Sequence, residues 1–160
     1  MLPTFRKATP YKYRPNVAVI VSDGNGRVLF CKRVGKFRNI QTVQGGIDDG
    51  ETIEQAGRRE LLEEIGLRPD AYELRASLID AHRYEWPDWC IEENEHRYIG
   101  QEQSFLLATV HLPVEFNLDE HVREFSRVWW GRPEELVKKA WEVKRPGLEA
   151  ALRGFGLLSS

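Results

Sequence analysis

The sequence predicts one α/β domain, on three observations. Short β-rich runs bounded by turn residues recur along the chain, a capped amphipathic helix follows a glycine-rich turn, and 160 residues with 41% apolar content can bury one core. No repeat, linker or low-complexity tract divides the chain, so the domain is read as spanning residues 1–160, with 1–12 as a flexible arm.

The elements follow in order. Val17 to Ser22 and Arg27 to Arg33 are β-rich and flank Asp23-Gly24-Asn25-Gly26, whose Gly and Asn residues tolerate positive φ, so the pair reads as a hairpin. Thr52 and Gln55 form a capping-box pattern, Ile53, Ala56, Leu61 and Ile65 continue at helical spacing, and Gly66 stands where a helix-ending glycine belongs. A helix over Ile53 to Ile65 is predicted. Further strands are expected around Tyr72 to Ile79, Ser104 to Leu112 and Arg127 to Trp130. Pro133-Glu134-Glu135-Leu136 reads as a helix start, and a last helix as running from near Pro146 to Gly154. His82 to Gly100 reads as a long polar and aromatic loop, a kind of segment that is more often functional or mobile than structural.

Composition excludes several classes of function. The longest apolar stretches, such as Val17 to Val21, fall far short of the roughly 20 residues that cross a bilayer. The N-terminus has no apolar segment of the secretory kind, so a cytoplasmic location without a membrane partner is expected. Cys31 and Cys90 are too few for a disulfide framework and are expected to be reduced and inert. His82, His96, His111 and His121 lack the close spacing of a zinc site, and no Ser or Cys stands in a nucleophile elbow.

The formal net charge of −2 conceals a strong asymmetry. Through Arg38 there are nine basic residues against Asp23 alone, whereas Asn39 to Glu64 holds seven acids against Arg58 and Arg59. A basic segment attracts polyanions and a dense carboxylate cluster repels them unless a cation intervenes. The pair points to a phosphate substrate bridged by metal, with solvated surface charge as the other reading.

The acids concentrate on the predicted helix. At about 100° per residue, Glu60 and Glu64 lie about 40° apart and Glu63 about 60° to the other side of Glu60, a narrow sector beside the Leu61 and Ile65 stripe. Like charges so placed repel, so the trio is either neutralised by Arg58 and Arg59 or arranged to hold a hard cation through oxygen. The preceding Gly45-Gly46-Ile47-Asp48-Asp49-Gly50-Glu51 favours the second, because glycine lets backbone carbonyls approach a metal.

The stretch from Gly45 to Leu67 resembles the Nudix box. Gly45, five residues, Glu51, seven residues, then Arg59, Glu60, Leu61, Leu62, Glu63, Glu64, Ile65, Gly66 and Leu67 fill every defined position of that motif. The resemblance implies an α/β/α sandwich with a mixed central sheet and the box helix on one face. It also implies a pyrophosphohydrolase that uses Mg²⁺ or Mn²⁺. Glu60, Glu63, Glu64 and the carbonyl of Gly45 would ligate the metal, Arg59 would orient carboxylates, and Glu51 would brace the loop. Glu60, Glu63 and Arg59 are taken as the catalytic set, with Glu60 as the base toward water.

Segments outside the box resemble the bacterial branch of RNA pyrophosphohydrolases and diadenosine polyphosphate hydrolases. They are Tyr13 to Val17, Gln44 to Asp48, Gly100 to Gln103 with Phe105 to Leu107, Glu124-Phe125 before Trp129, and Val143 to Arg145. By that resemblance Glu124 is a fifth metal ligand or a base, and Arg14, Arg33, Gln101 and Lys144 contact phosphates or nucleotide. Tyr84, Trp86, Trp89 and Tyr98 either stack on bases or close a hydrophobic lid, and Tyr84 is placed in the substrate set. The chain departs from the branch at Ile40 and Val43, where Trp and Pro are usual, with one extra residue between Gly35 and Gly45. Asp80 to Glu95 holds six acids against Arg83, a poor surface for a long RNA.

A 5′-triphosphorylated RNA end or a dinucleoside polyphosphate is therefore the expected substrate. Another nucleoside diphosphate derivative, such as ADP-ribose, a nucleotide sugar or a noncanonical nucleoside triphosphate, is the alternative. A catalytically silent module that binds nucleotide or RNA is the third reading.

Overall fold

A computed structural model describes residues 12–35 and 39–159, without the side chains of residues 80 and 81. The arm expected over residues 1–12 lies outside the described residues except for Lys12.

Among the described residues seven strands form one sheet: β1 (Tyr13–Ser22), β2 (Val28–Arg33), β3 (Ile40–Gln41), β4 (Val43–Gly46), β5 (Tyr72–Glu85), β6 (Gly100–Val110) and β7 (Phe125–Gly131). Among the described residues four α-helices accompany them: α1 (Ile53–Ile65), α2 (Asp88–Glu93), α3 (Pro133–Lys139) and α4 (Arg145–Gly154). The sheet is mixed, since β1 pairs parallel with β6 from Tyr13↔Gly100 to Ser22↔Thr109 and antiparallel with β4 from Asn16↔Gly46 to Val19↔Val43.

The alternation of β1 divides the interior. Val17, Val19 and Val21 pack with Ile53, Ala56, Leu61 and Ile65 of α1, whereas Ala18 and Ile20 pack with Leu136, Leu148, Ala151 and Leu152 of α3 and α4. Both faces of the strand are covered, which is why its sequence is a continuous apolar run. The result is the expected α/β/α sandwich with the box helix on one face.

Helix α1 starts as its sequence dictates. The Thr52 hydroxyl accepts from the Gln55 N–H at 3.0 Å, and the Gln55 side chain accepts from the Thr52 N–H at 2.9 Å. Gly66, at φ 71°, ends the helix and returns its N–H to the Leu61 and Leu62 carbonyls.

Two expectations need correction. The turn after β1 forms, with Asp23 Oδ1 accepting from the N–H groups of Asn25 and Arg27, but β1 and β2 share the single register pair Ser22↔Val28. Beyond it β4 occupies the edge of β1, and β2 pairs instead with β7 and β3. The long loop from His82 to Gly100 is also largely regular: His82 to Glu85 extends β5, Asp88 to Glu93 is α2, and Gly100 opens β6. A register shift between Leu78 and His82 re-aims β5, after which Tyr84 and Trp86 are buried while Arg83 and Glu85 are exposed. That alternation stabilises a strand where the polar composition reads as loop.

Candidate active site

The ends of β1, β2, β4, β5 and β6 meet α1 and α2 around a cleft of about 660 Å³. Box helix α1 supplies Glu60, Glu63 and Glu64, and Gly45 comes from β4. Arg14 comes from β1, Arg33 from β2, Tyr84 from β5 and Gln101 from β6. Glu124 stands at the start of β7, where its carbonyl accepts from the Val34 N–H at 3.0 Å, tying it to the end of β2. Lys144 lies in the short 3₁₀ turn Glu142–Lys144 ahead of α4.

All the residues predicted to line a site do so except Arg59 and Tyr98. Arg59 lies behind the carboxylates. Its Nε and Nη2 donate to the two oxygens of Glu51 at 2.7 and 3.0 Å, Nη1 donates to Glu60 at 2.7 Å, and Nη2 also donates to the Gly46 carbonyl at 2.8 Å. This is the planar, forked geometry that Lys does not reproduce, and it locks loop, helix and strand together. Glu51 completes the brace by accepting from the Asp48 N–H at 2.9 Å.

Two of the four carboxylates are held apart from solvent, whereas Glu63 is half-buried and Glu124 exposed. Glu60 and Glu64 are 7% and 6% exposed, which decides their electrostatics. Burial, and then the charges of Glu63 and Glu124, push Glu60 up against the pull of Arg59. Burial and the Glu60 charge push Glu64 up to about 9, although its Oε1 accepts from the Gln44 N–H at 3.1 Å. Negative charge is thus in excess at this end of the cleft.

The donor chemistry, though not the spacing of the side chains, suits a divalent cation. Four carboxylates and the Gly45 carbonyl are hard oxygen donors with one guanidinium among them, and a Cβ at Gly45 would occupy the space filled by the Glu60 carboxylate. Among the described residues no three Asp, Glu, His or Cys side chains are gathered closely enough to hold an ion. The mutual repulsion is instead relieved through Arg59 and the Gln44 N–H.

Cationic side chains line the same cleft. Arg33 Nε is buried without a hydrogen-bond partner among the described residues. Burial, then the Arg33 charge, push Lys144 down to about 7. The Tyr84 hydroxyl donates to the Gln101 side chain, and burial pushes its pKa up.

Several cleft residues escape sequence reasoning. Gln44 and Asn16 are bridged by Gln103, whose Nε2 donates to Asn16 Oδ1 at 2.9 Å and to Gln44 Oε1 at 3.3 Å. Polar residues inside apolar strand runs are the signal that could have found them. Trp141 stands at the rim with its ring 6.1 Å from that of Trp89, and no sequence pattern marks it. Trp86 lines the cleft as well, and Tyr98 lies in an adjoining cavity.

Comparison with known proteins bears on the family and the fold. The family profile described as NUDIX domain matches residues 12–151. An RNA pyrophosphohydrolase of Aeromonas hydrophila is 41% identical over 152 residues, covering 92% of this chain and 86% of that protein. One of Teredinibacter turnerae is 43% identical over 95 residues, 59% of this chain and 56% of that protein. The chain spans 55–66% of the length of three such relatives. Among solved structures, the dihydroneopterin triphosphate pyrophosphohydrolase of E. coli superposes with a TM-score of 0.65 at 18% identity, covering 88% of this chain and 95% of that one. Matched over most of its length and sharing the fold, the chain belongs to the NUDIX domain family.

Proposed function

We propose that the protein is a divalent-metal-dependent pyrophosphohydrolase that cleaves a phosphoanhydride of a nucleoside polyphosphate, either a 5′-triphosphorylated RNA end or a dinucleoside polyphosphate. The observation that carries this reading is that one cleft gathers Glu60, Glu63, Glu64 and Glu124 together with Arg14, Arg33 and Lys144. The relatives named RNA pyrophosphohydrolase support it.

In this reading Gly45, Glu60, Glu63, Glu64 and Glu124 hold Mg²⁺ or Mn²⁺, which neutralises and polarises the phosphate oxygens when bound. The arginines and Lys144 grip the rest of the phosphate chain, with Gln101 and Tyr84 beside them. Glu60 orients a water and takes its proton as the new P–O bond forms and the bridging P–O bond breaks, with Glu63 beside it. Arg59 acts through Glu60 and Glu51 and is a positioning residue. Cys31 and Cys90 are free thiols, in keeping with a cytoplasmic enzyme. Among the described residues no helix is long and apolar enough to cross a membrane.

The test is a product assay with Mg²⁺ on 5′-triphosphorylated RNA, diadenosine tetraphosphate, ADP-ribose and the common nucleoside triphosphates. Turnover that falls by at least about a hundredfold in Glu64→Gln supports the reading. No turnover on the panel, or turnover indifferent to Glu64, overturns it.

A further inference from the structure

A second cavity of about 560 Å³ adjoins the cleft, within the roughly 300–1,000 Å³ of small-molecule sites. The two share Arg14, Gly46, Glu93 and Asn94 as a common wall. Gly46 permits that wall, because a Cβ there would meet the Arg14 guanidinium, so Arg14 lies over the passage from one cavity to the other. A phosphate chain gripped by Arg14 in the cleft would thus meet the wall shared with the second cavity.

The chemistry of the second cavity differs from that of the first. Among the described residues of its lining, Asp48, Asp49, Glu93 and Glu95 stand with Arg14 and Arg97, and Arg59 Nη2 lies 3.7 Å from Asp48. Tyr98 offers an aromatic face, with the Arg97 guanidinium 5.9 Å from the ring centroid. Glu95 and His96 both adopt the left-handed conformation, at φ 57° and 58°, turning the chain after α2 back toward β1. The Ile99 N–H then donates to the Lys12 carbonyl at 2.6 Å, which fixes Tyr98 against the start of the sheet. An RNA chain carries a phosphate at every residue, and entry here would set those phosphates among carboxylates. A terminal nucleoside brings no charge. Its base can stack on Tyr98, and its ribose hydroxyls and ring N–H groups can donate to the carboxylates.

We propose that this second cavity is a nucleoside subsite: it takes the uncharged base and ribose at the far end of a phosphate chain seated in the cleft, and so selects dinucleoside polyphosphates over RNA 5′ ends. The selection rests on the cleft being the phosphate site proposed above; nucleoside binding in the cavity does not.

Two measurements on the full chain separate the two claims. Adenosine titrated into the ¹⁵N-labelled protein is expected to shift the backbone amides of residues 47–49 and 95–98, with the shifts lost in Tyr98→Ala and kept in Tyr98→Trp. Shifts absent from those amides overturn the subsite whether or not the protein turns anything over. In the kinetic arm, Tyr98→Ala is expected to lower kcat/KM for diadenosine tetraphosphate about tenfold and to leave that for ATP unchanged. Glu95→Lys is expected to raise kcat/KM for a 5′-triphosphorylated RNA oligomer relative to the dinucleotide. Equal losses on all three substrates in Tyr98→Ala, or an RNA preference in the parent protein, overturn the selection. If no substrate is turned over, the proposed function fails and the adenosine titration alone decides the subsite.

Discussion

Gly45 shows how much a missing side chain can do. The Glu60 carboxylate fills the space a Cβ would take, so Gly45→Ala must displace it while leaving both core clusters untouched. The expected outcome is a loss in kcat on the order of a hundredfold with an unchanged circular dichroism spectrum, since small misplacements at a reacting centre cost that much. Lys144 makes a pH-dependent prediction. Burial is the main reason it titrates near 7 when folded against 10.5 when unfolded, Arg33 acts in the same direction, and Glu64 and Cys90 oppose. The cost of burying its charge is therefore present in full below about pH 7 and shrinks to nothing as pH climbs to the ordinary lysine value. Lys144→Met is expected to raise the melting temperature near pH 6, to leave it almost unchanged near pH 10, and to raise KM most below about pH 7, where Lys144 is charged. A thermal gain equal at both ends of that range would refute the assignment. At this scale the sequence was most readable where spacing is rigid: Glu60, Glu63 and Glu64 share a face because one helix carries them. Asn16, Gln44 and Gln103 were opaque, because strand pairing between distant segments brings them together.

Among the elements, α1 is the most legible and the most easily tested. Its boundaries follow from Thr52, Gln55 and Gly66, each of which satisfies terminal backbone groups that would otherwise be orphaned. Thr52→Ala removes the hydroxyl half of the capping box and is expected to cost about 1 kcal/mol, or roughly 2–4 °C in melting temperature, with little change in kcat at 25 °C. Differential scanning calorimetry with a parallel assay checks both halves. The segment from His82 to Gly100 was the least legible. Its period-two burial begins after a bulge, and α2 is too short to show a helical period, so neither template registers over the window in which such patterns are read. The hairpin was half legible, since its turn is local but the partners of β1 and β2 are chosen by strands far along the chain.

The whole molecule depends on one strand. β1 contributes to both hydrophobic clusters, so the two sides of the sandwich are expected to unfold together. Ile20→Ala, on the α3 and α4 side, is expected to cost about 2–5 kcal/mol, and tryptophan fluorescence and far-ultraviolet circular dichroism should still report one coincident transition. Two separated transitions would show that the halves are independent. The parallel pairing of β1 with β6, unbroken for ten residue pairs, also acts as a ruler. It sets Arg14 opposite Gln101 and Asn16 opposite Gln103, so polar residues of distant origin advance in step: Arg14, Asn16 and Gln101 line the cleft, and Gln103 bonds to Asn16 beside it. Because side chains alternate between faces, deleting a single residue ahead of Val17 would exchange the row facing the cleft for the one facing away. The strand would remain, but Arg14 would point to the wrong side of it. Length in this segment is thus as tightly specified as identity, and homologous chains should tolerate substitution here far better than insertion.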